Sequence, residues 1–265
     1  MISPAIEPPA VVQPAPPVKS VTVPSQRAKP AKSSLPPIRV DWELWNNSKT
    51  WSRSQWSGGA FHALPFDSNN ITVQRNGDVV LTMDRFAEAE LQRNADATAT
   101  KGFVQADITV PNMRSGVIAS PISLYDQATG DEINIAVVGL KGLQLTAKLN
   151  VKSATVTPAA LQGDLSGRRI KVGVSYELPY QITYLIDDQP VLTLTNSSAP
   201  GGRLPMHGFK AISSVWGYPQ GGGWAGTYQP LAAGEEVKMT IHGYDFKAAP
   251  YQPFNTPTTV ASAGR

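Results

Sequence analysis

The chain has 265 residues, 41% hydrophobic and 16% charged, with 22 Gly, 23 Pro and no Cys. That length accommodates one large β domain with a tail or two ordinary domains, and the missing cysteine excludes disulfides, thiolate metal sites and cysteine nucleophiles. The net charge of +3 divides unevenly: residues 1–40 hold five Lys/Arg against Glu7, leaving 18 basic and 19 acidic side chains elsewhere, so the body carries no footprint for nucleic acid.

Residues 1–40 contain ten of the 23 prolines, in runs such as "PPAVVQPAPPVK". Proline removes amide donors and fixes the backbone near polyproline geometry, so the segment reads as a semi-rigid spacer or as an ordinary disordered terminus. A spacer suggests a secreted, periplasmic or cell-surface protein. No apolar run of the kind a signal peptide needs is present, so that reading places the export signal outside this sequence. No apolar stretch is long enough to span a membrane as a helix. The expected organisation is a Pro-rich tail (1–40), one β domain (41–250) and a flexible C-terminal tail (251–265).

Further along, short alternating runs recur between turn signals. "ITVQRNGDVVLTM" (71–83) is two strands around Asn76-Gly77, a dipeptide suited to a hairpin. The stretch 85–94 carries a weak helical signal. "GFVQADITV" (102–110) alternates, and "GVIASPISLY" (116–125) is apolar enough to be buried on both faces. Strands are expected at 131–138, 143–151, 169–177, 180–187, 190–195, 209–216 and 237–246. Ten or eleven strands at this spacing predict an all-β antiparallel sandwich.

The run "DEINIAVV" (131–138) carries the functional question. Alternation puts Glu132, Asn134 and Ala136 on one face and Ile133, Ile135 and Val137 on the other. The isoleucines require a core, so the Glu132 face looks outward or into a cleft. Retaining glycoside hydrolysis needs two carboxyls roughly 5 Å apart, one as nucleophile and one as acid/base. Glu residues at i and i+4 of one strand can supply them, with an Asp at i+2 holding the nucleophile. Only the first of those three positions is acidic here.

Five segments in order resemble glycoside hydrolase family 16, the laminarinase–lichenase group, whose active-site strand reads E-I-D-I-E. They are "GGAFHALPFDSNNITVQRNGDVVLTM" (58–83), "GFVQADITVPNMRSGVIASPISLY" (102–125), "GDEINIAVVG" (130–139), "YQITYLIDDQPV" (180–191) and "SSVWGYPQGGGWAGTY" (213–228). The last two are similar to the family's I-x-W-Y-V-D-G and W-x-G-G-x-W-x-G stretches. The resemblance implies a concanavalin A-like jelly roll with a glycan cleft, and a polysaccharide or oligosaccharide as partner.

Residue by residue, the resemblance makes Glu132 the nucleophile position, Asn134 a replacement of its Asp partner and Ala136 a lost acid/base. General acid catalysis contributes roughly 100- to 10,000-fold, about 3–6 kcal/mol of barrier, so its absence argues against ordinary hydrolysis. Asn134 can still donate to Glu132 and favour its ionised form. Trp216, Tyr218 and Trp224 are candidate glycan-stacking residues. Arg93 matches, one residue out of register, a family stretch that contacts substrate. Trp42, Trp45, Trp51 and Trp56 read as packing for the terminal strands.

No cofactor is implied. Family members often carry a structural calcium; Asp245 lies near the relevant strand, and no ligand set is assigned. His62, His207 and His242 lack the paired spacing of a zinc site and read as satisfied side chains. Three functions stay open: a glycan-binding domain without normal hydrolysis; a β-glucanase or transglycosylase using Glu132 with an acid from elsewhere, such as Asp126 or Glu88; and a structural subunit of a polysaccharide-secretion or cell-surface assembly.

Overall fold

The computed structural model describes residues 50–94 and 97–250; both expected tails, Trp42 and Trp45 lie outside these residues. Fourteen strands form in chain order: β1 (Trp51–Arg53), β2 (Ile71–Val73), β3 (Val79–Met83), β4 (Ala89–Arg93), β5 (Lys101–Thr109), β6 (Val117–Tyr125) and β7 (Glu132–Val138). There follow β8 (Leu143–Leu149), β9 (Lys152–Val156), β10 (Arg169–Glu177), β11 (Gln181–Ile186), β12 (Gln189–Leu194), β13 (Lys210–Gly217) and β14 (Val237–Lys247). They make two seven-stranded sheets, β1-β4-β13-β6-β7-β8-β9 and β12-β11-β10-β5-β14-β3-β2. The expected all-β sandwich is the observed fold.

The weak helical signal at 85–94 does not yield a helix. Ala, Glu, Leu and Gln favour helix intrinsically, yet Ala89–Arg93 is strand β4, hydrogen-bonded to β1 and β13. Two partner strands outweigh a preference of a few tenths of a kcal/mol per residue. The Asn76-Gly77 turn is a three-residue loop: Gln74 and Asp78 pair across it, and Gly77 takes φ 92, a left-handed position open to glycine.

Alternating residues explain the core. On β7, Ile133, Ile135 and Val137 are fully buried between the sheets, whereas Glu132 and Asn134 are half-buried on the outward face. Trp51 joins the inner cluster and meets Tyr244 edge-on at 5.1 Å.

Strand β6 departs from regular alternation. Its register to β7 steps from Ala119↔Val137 to Ile122↔Ile135, and its register to β13 slips at the same place. The step falls at Ser120-Pro121. Proline has no amide to give a ladder, so a proline inside a central strand belongs at a bulge. The Pro121 carbonyl is taken up by the buried Ser213 hydroxyl at 2.7 Å.

Candidate functional site

The bulge determines what surrounds Glu132. Ser120 and Ser123 are three residues apart and would face opposite sides of a regular strand. The extra residue lets both face outward. The Ser123 hydroxyl donates to Glu132 Oε1 at 2.8 Å, and the Asn134 amide donates to the same oxygen at 2.8 Å. The Ser120 hydroxyl donates to Asn134 Oδ1 at 3.2 Å, which orients that amide with its NH₂ toward Glu132. Among the described residues no donor reaches Glu132 Oε2. One carboxylate oxygen is therefore fixed by two hydrogen bonds and the other is left for a ligand.

The negative charge is felt through the sheet. Tyr184, buried beneath, donates to the Thr146 carbonyl at 2.7 Å. Burial first, and the Glu132 charge second, push its phenol far above the usual tyrosine range.

Position 136 is different. Ala136 is 5% exposed and packs with Ile118, Val138 and Ala225, beneath Trp216 and Tyr218. Trp224 is anchored next to it, because its indole donates at 2.8 Å to Gln144, the β8 partner of Ala136. The three aromatic rings form one cluster: Trp216–Trp224 at 6.2 Å, Trp216–Tyr218 at 6.3 Å and Tyr218–Trp224 at 5.2 Å. This cluster covers Ala136 and Val138, roughly 13–20 Å along β7 from Glu132 at about 3.3 Å per residue.

The other acids on or near this face are engaged. Glu88 is fully buried; its Oε1 accepts from the Ala63, Leu64 and Gly217 amides at 3.0–3.1 Å, and Oε2 meets His62 Nδ1 at 3.0 Å. Glu90 accepts from Ser54 at 2.5 Å, from Gln92 at 2.6 Å and from Trp56 at 3.4 Å, which holds its carboxyl toward the β1 edge, away from β7. Asp126 lies in the β6–β7 turn. Burial opposes its charge, but bonds from the Ala128 amide, the Thr129 hydroxyl and His207 outweigh it and hold the carboxyl below the usual range. A general acid needs the opposite shift.

Arg93 is not on the Glu132 face. Its position on β4 shares the inward side with Ala89 and Leu91, and its guanidinium lies over Trp51 at 5.4 Å and Phe246 at 5.1 Å. Glu90 and Gln92 are the β4 side chains that face outward. The three histidines each meet an acid, His62 with Glu88, His207 with Asp126 and His242 with Asp78. Among the described residues no group of three or more His, Cys, Asp or Glu is arranged to hold a metal, and Asp245 pairs with Lys247. Ser120, Ser123 and Gln144 escaped the sequence reading; Pro121 inside an apolar strand was the available signal.

The sequence profile of Glycosyl hydrolases family 16 matches residues 61–232, about two thirds of the chain. The chain belongs to that family. A search of curated protein sequences gives no match. Among solved structures, a prokaryotic β-1,3-1,4-glucanase (lichenase) from a mouse hindgut metagenome aligns with TM-score 0.61 at 19% identity, over 75% of this chain and 92% of that one. The Bacillus licheniformis β-glucanase gives 0.61 at 18% identity, covering 76% and 91%. The catalytic domain of an endo-1,3-β-glucanase (laminarinase) from Thermotoga petrophila gives 0.58 at 15%, covering 75% and 89%. These likenesses establish the family 16 sandwich for this chain. Among the described residues no helix is long and apolar enough to cross a membrane.

Proposed function

We propose that this family 16 domain binds a β-glucan-type polysaccharide without normal hydrolysis, and that the protein acts outside the cytoplasm with residues 1–40 as a spacer. One observation carries the reading: position 136, where the family resemblance puts the acid/base, is an alanine closed in by Ile118, Val138, Ala225, Trp216 and Tyr218. No proton donor faces the leaving group from there. Glu88, Glu90 and Asp126 are each held by other partners, so none of them is presented in its place.

Binding is tested with lichenan and laminarin by affinity electrophoresis and calorimetry, alongside a reducing-end assay. The expected result is saturable binding without released reducing ends, weakened at least about tenfold, or 1.4 kcal/mol, in Trp216→Ala. Vigorous hydrolysis of either polymer rules the reading out. Absence of all binding favours the scaffold role in a secretion or cell-surface assembly.

A second reading rests on Glu132 itself. Its free oxygen and its two donors are suited to a nucleophile. Turnover of an activated aryl β-glucoside oligomer that requires azide, and disappears in Glu132→Gln, supports a competent nucleophile lacking its acid/base.

A further inference from the structure

A depression lies at the sheet edge. Gln55, Trp56, Pro65, Phe66, Asp67 and Phe86 line a depression of about 340 Å³. That volume is at the small end of ligand pockets, roughly 300–1,000 Å³. None of its walls comes from β6, β7 or β8; they belong to the segments before β2 and to the β3–β4 turn.

Its chemistry is specific. Phe66 is buried and floors it, while Trp56 is 46% and Phe86 66% exposed. Trp56 packs on Phe66 at 5.3 Å and the Arg85 guanidinium lies 4.3 Å from the Phe86 ring centroid, yet both rings keep a large part of their surface open to solvent. Polar groups stand between them with capacity to spare. Asp67 Oδ1 accepts from the Asn69 amide and Gln55 Oε1 from the Ser68 hydroxyl, and among the described residues Asp67 Oδ2 and Gln55 Nε2 have no partner. Aromatic faces with a few acceptors and donors suit a pyranose, whose C–H face is apolar and whose rim carries hydroxyls. Asp67 and the Arg85 guanidinium over Phe86 offset one another in charge, which suits a neutral sugar.

Trp56 links this depression to the outward face that carries Trp216 and Glu132. Its indole donates to Glu90 on the outward face of β4 at 3.4 Å. From there the rings run without a gap: Trp56 to His62 at 5.7 Å, His62 to Trp216 at 4.7 Å and Trp216 to Trp224 at 6.2 Å. We propose that the Trp56–Phe86 depression binds further neutral sugar units of the same chain that occupies the cleft, so that affinity rises with glycan length. This rests on the glycan-binding function proposed above.

The test measures affinity of the full chain for laminari- and mixed-linkage oligosaccharides from trisaccharide to octasaccharide, comparing the parent with Phe86→Ala and with Gln55→Ala/Phe86→Ala. Both positions are exposed, and unchanged thermal midpoints verify folding. The expected result is that the longest oligosaccharides lose about tenfold affinity in the variants and the shortest bind as before. Parent affinity that does not grow with length, or growth that survives in the double variant, overturns this proposal while leaving cleft binding intact. Absence of binding at every length overturns both.

Discussion

Ser120 determines which way the Asn134 amide points: its hydroxyl donates to Asn134 Oδ1 at 3.2 Å, and the NH₂ is thereby turned onto Glu132. Asn134→Asp replaces that donor with a second carboxylate at hydrogen-bond distance from the first. Like charges this close leave one of the pair protonated well above the ordinary carboxylate range, and the titration belongs to the pair. A raised folded-state pKa contributes stability below the unfolded value and loses it as pH rises. Denaturant midpoints should therefore show Asn134→Asp falling further behind the parent at pH 7.5 than at pH 4.5. A constant gap between the two conditions contradicts the orientation.

A glutamate introduced at position 136 should destabilise the domain and confer no hydrolysis. Ala136 is buried with Trp216 and Tyr218 packed against its cluster, so Ala136→Glu must displace packed rings or bury a carboxyl, at about 2–4 kcal/mol. At roughly 2–4 °C per kcal/mol for a domain of this size, the thermal midpoint should drop by about 5–15 °C, with no hydrolysis of lichenan. A variant as stable as the parent that cleaves the polymer refutes this.

Glu88 is a structural acid. Three backbone amides converge on one of its oxygens. In Glu88→Ala the Ala63, Leu64 and Gly217 amides lose their acceptor and His62 loses its partner. Leaving buried partners unsatisfied costs about 3–5 kcal/mol for a buried charged network. Urea denaturation should show that loss, and near-UV circular dichroism should change through Trp216, which packs on His62 at 4.7 Å.

The β6–β7 turn should be acid-sensitive. Asp126 titrates below its unfolded value of about 3.9. Its contribution is thus present above the unfolded pKa and is lost as pH falls through the lower folded value. Asp126→Asn should be less stable than the parent at pH 7, with the difference shrinking below about pH 4. Parallel stability curves across that range count against it.

The fold was legible from the sequence because most strands pack one face, so their alternation survives in the residue order. The three strands that escaped lack that signal for separate reasons. β1 spans only Trp51–Arg53; β9 is exposed at every position; and β4 is built from helix-forming residues held in place by neighbours distant in sequence. The outward orientation of Glu132 and Asn134 shows by parity alone. Arg93 was misread because one residue of offset on a strand exchanges its two faces. The serines were hidden because their placement depends on a register shift between strands, which no local pattern encodes.

Strand β6 is read in two frames. Before Pro121 the even-numbered Ile118 and Ser120 face outward; after it the odd-numbered Ser123 and Tyr125 do. Side-chain exchange along this strand therefore alters one contact at a time, and a single-residue deletion at 120–121 would remove the bulge with both halves still facing as before, whereas a deletion elsewhere in the strand would turn one part over relative to the other. The bulge is thus the place in this strand where length can change by one residue without exchanging its faces, and an alignment of β6 with a bulge-free strand must open a gap there to compare like faces.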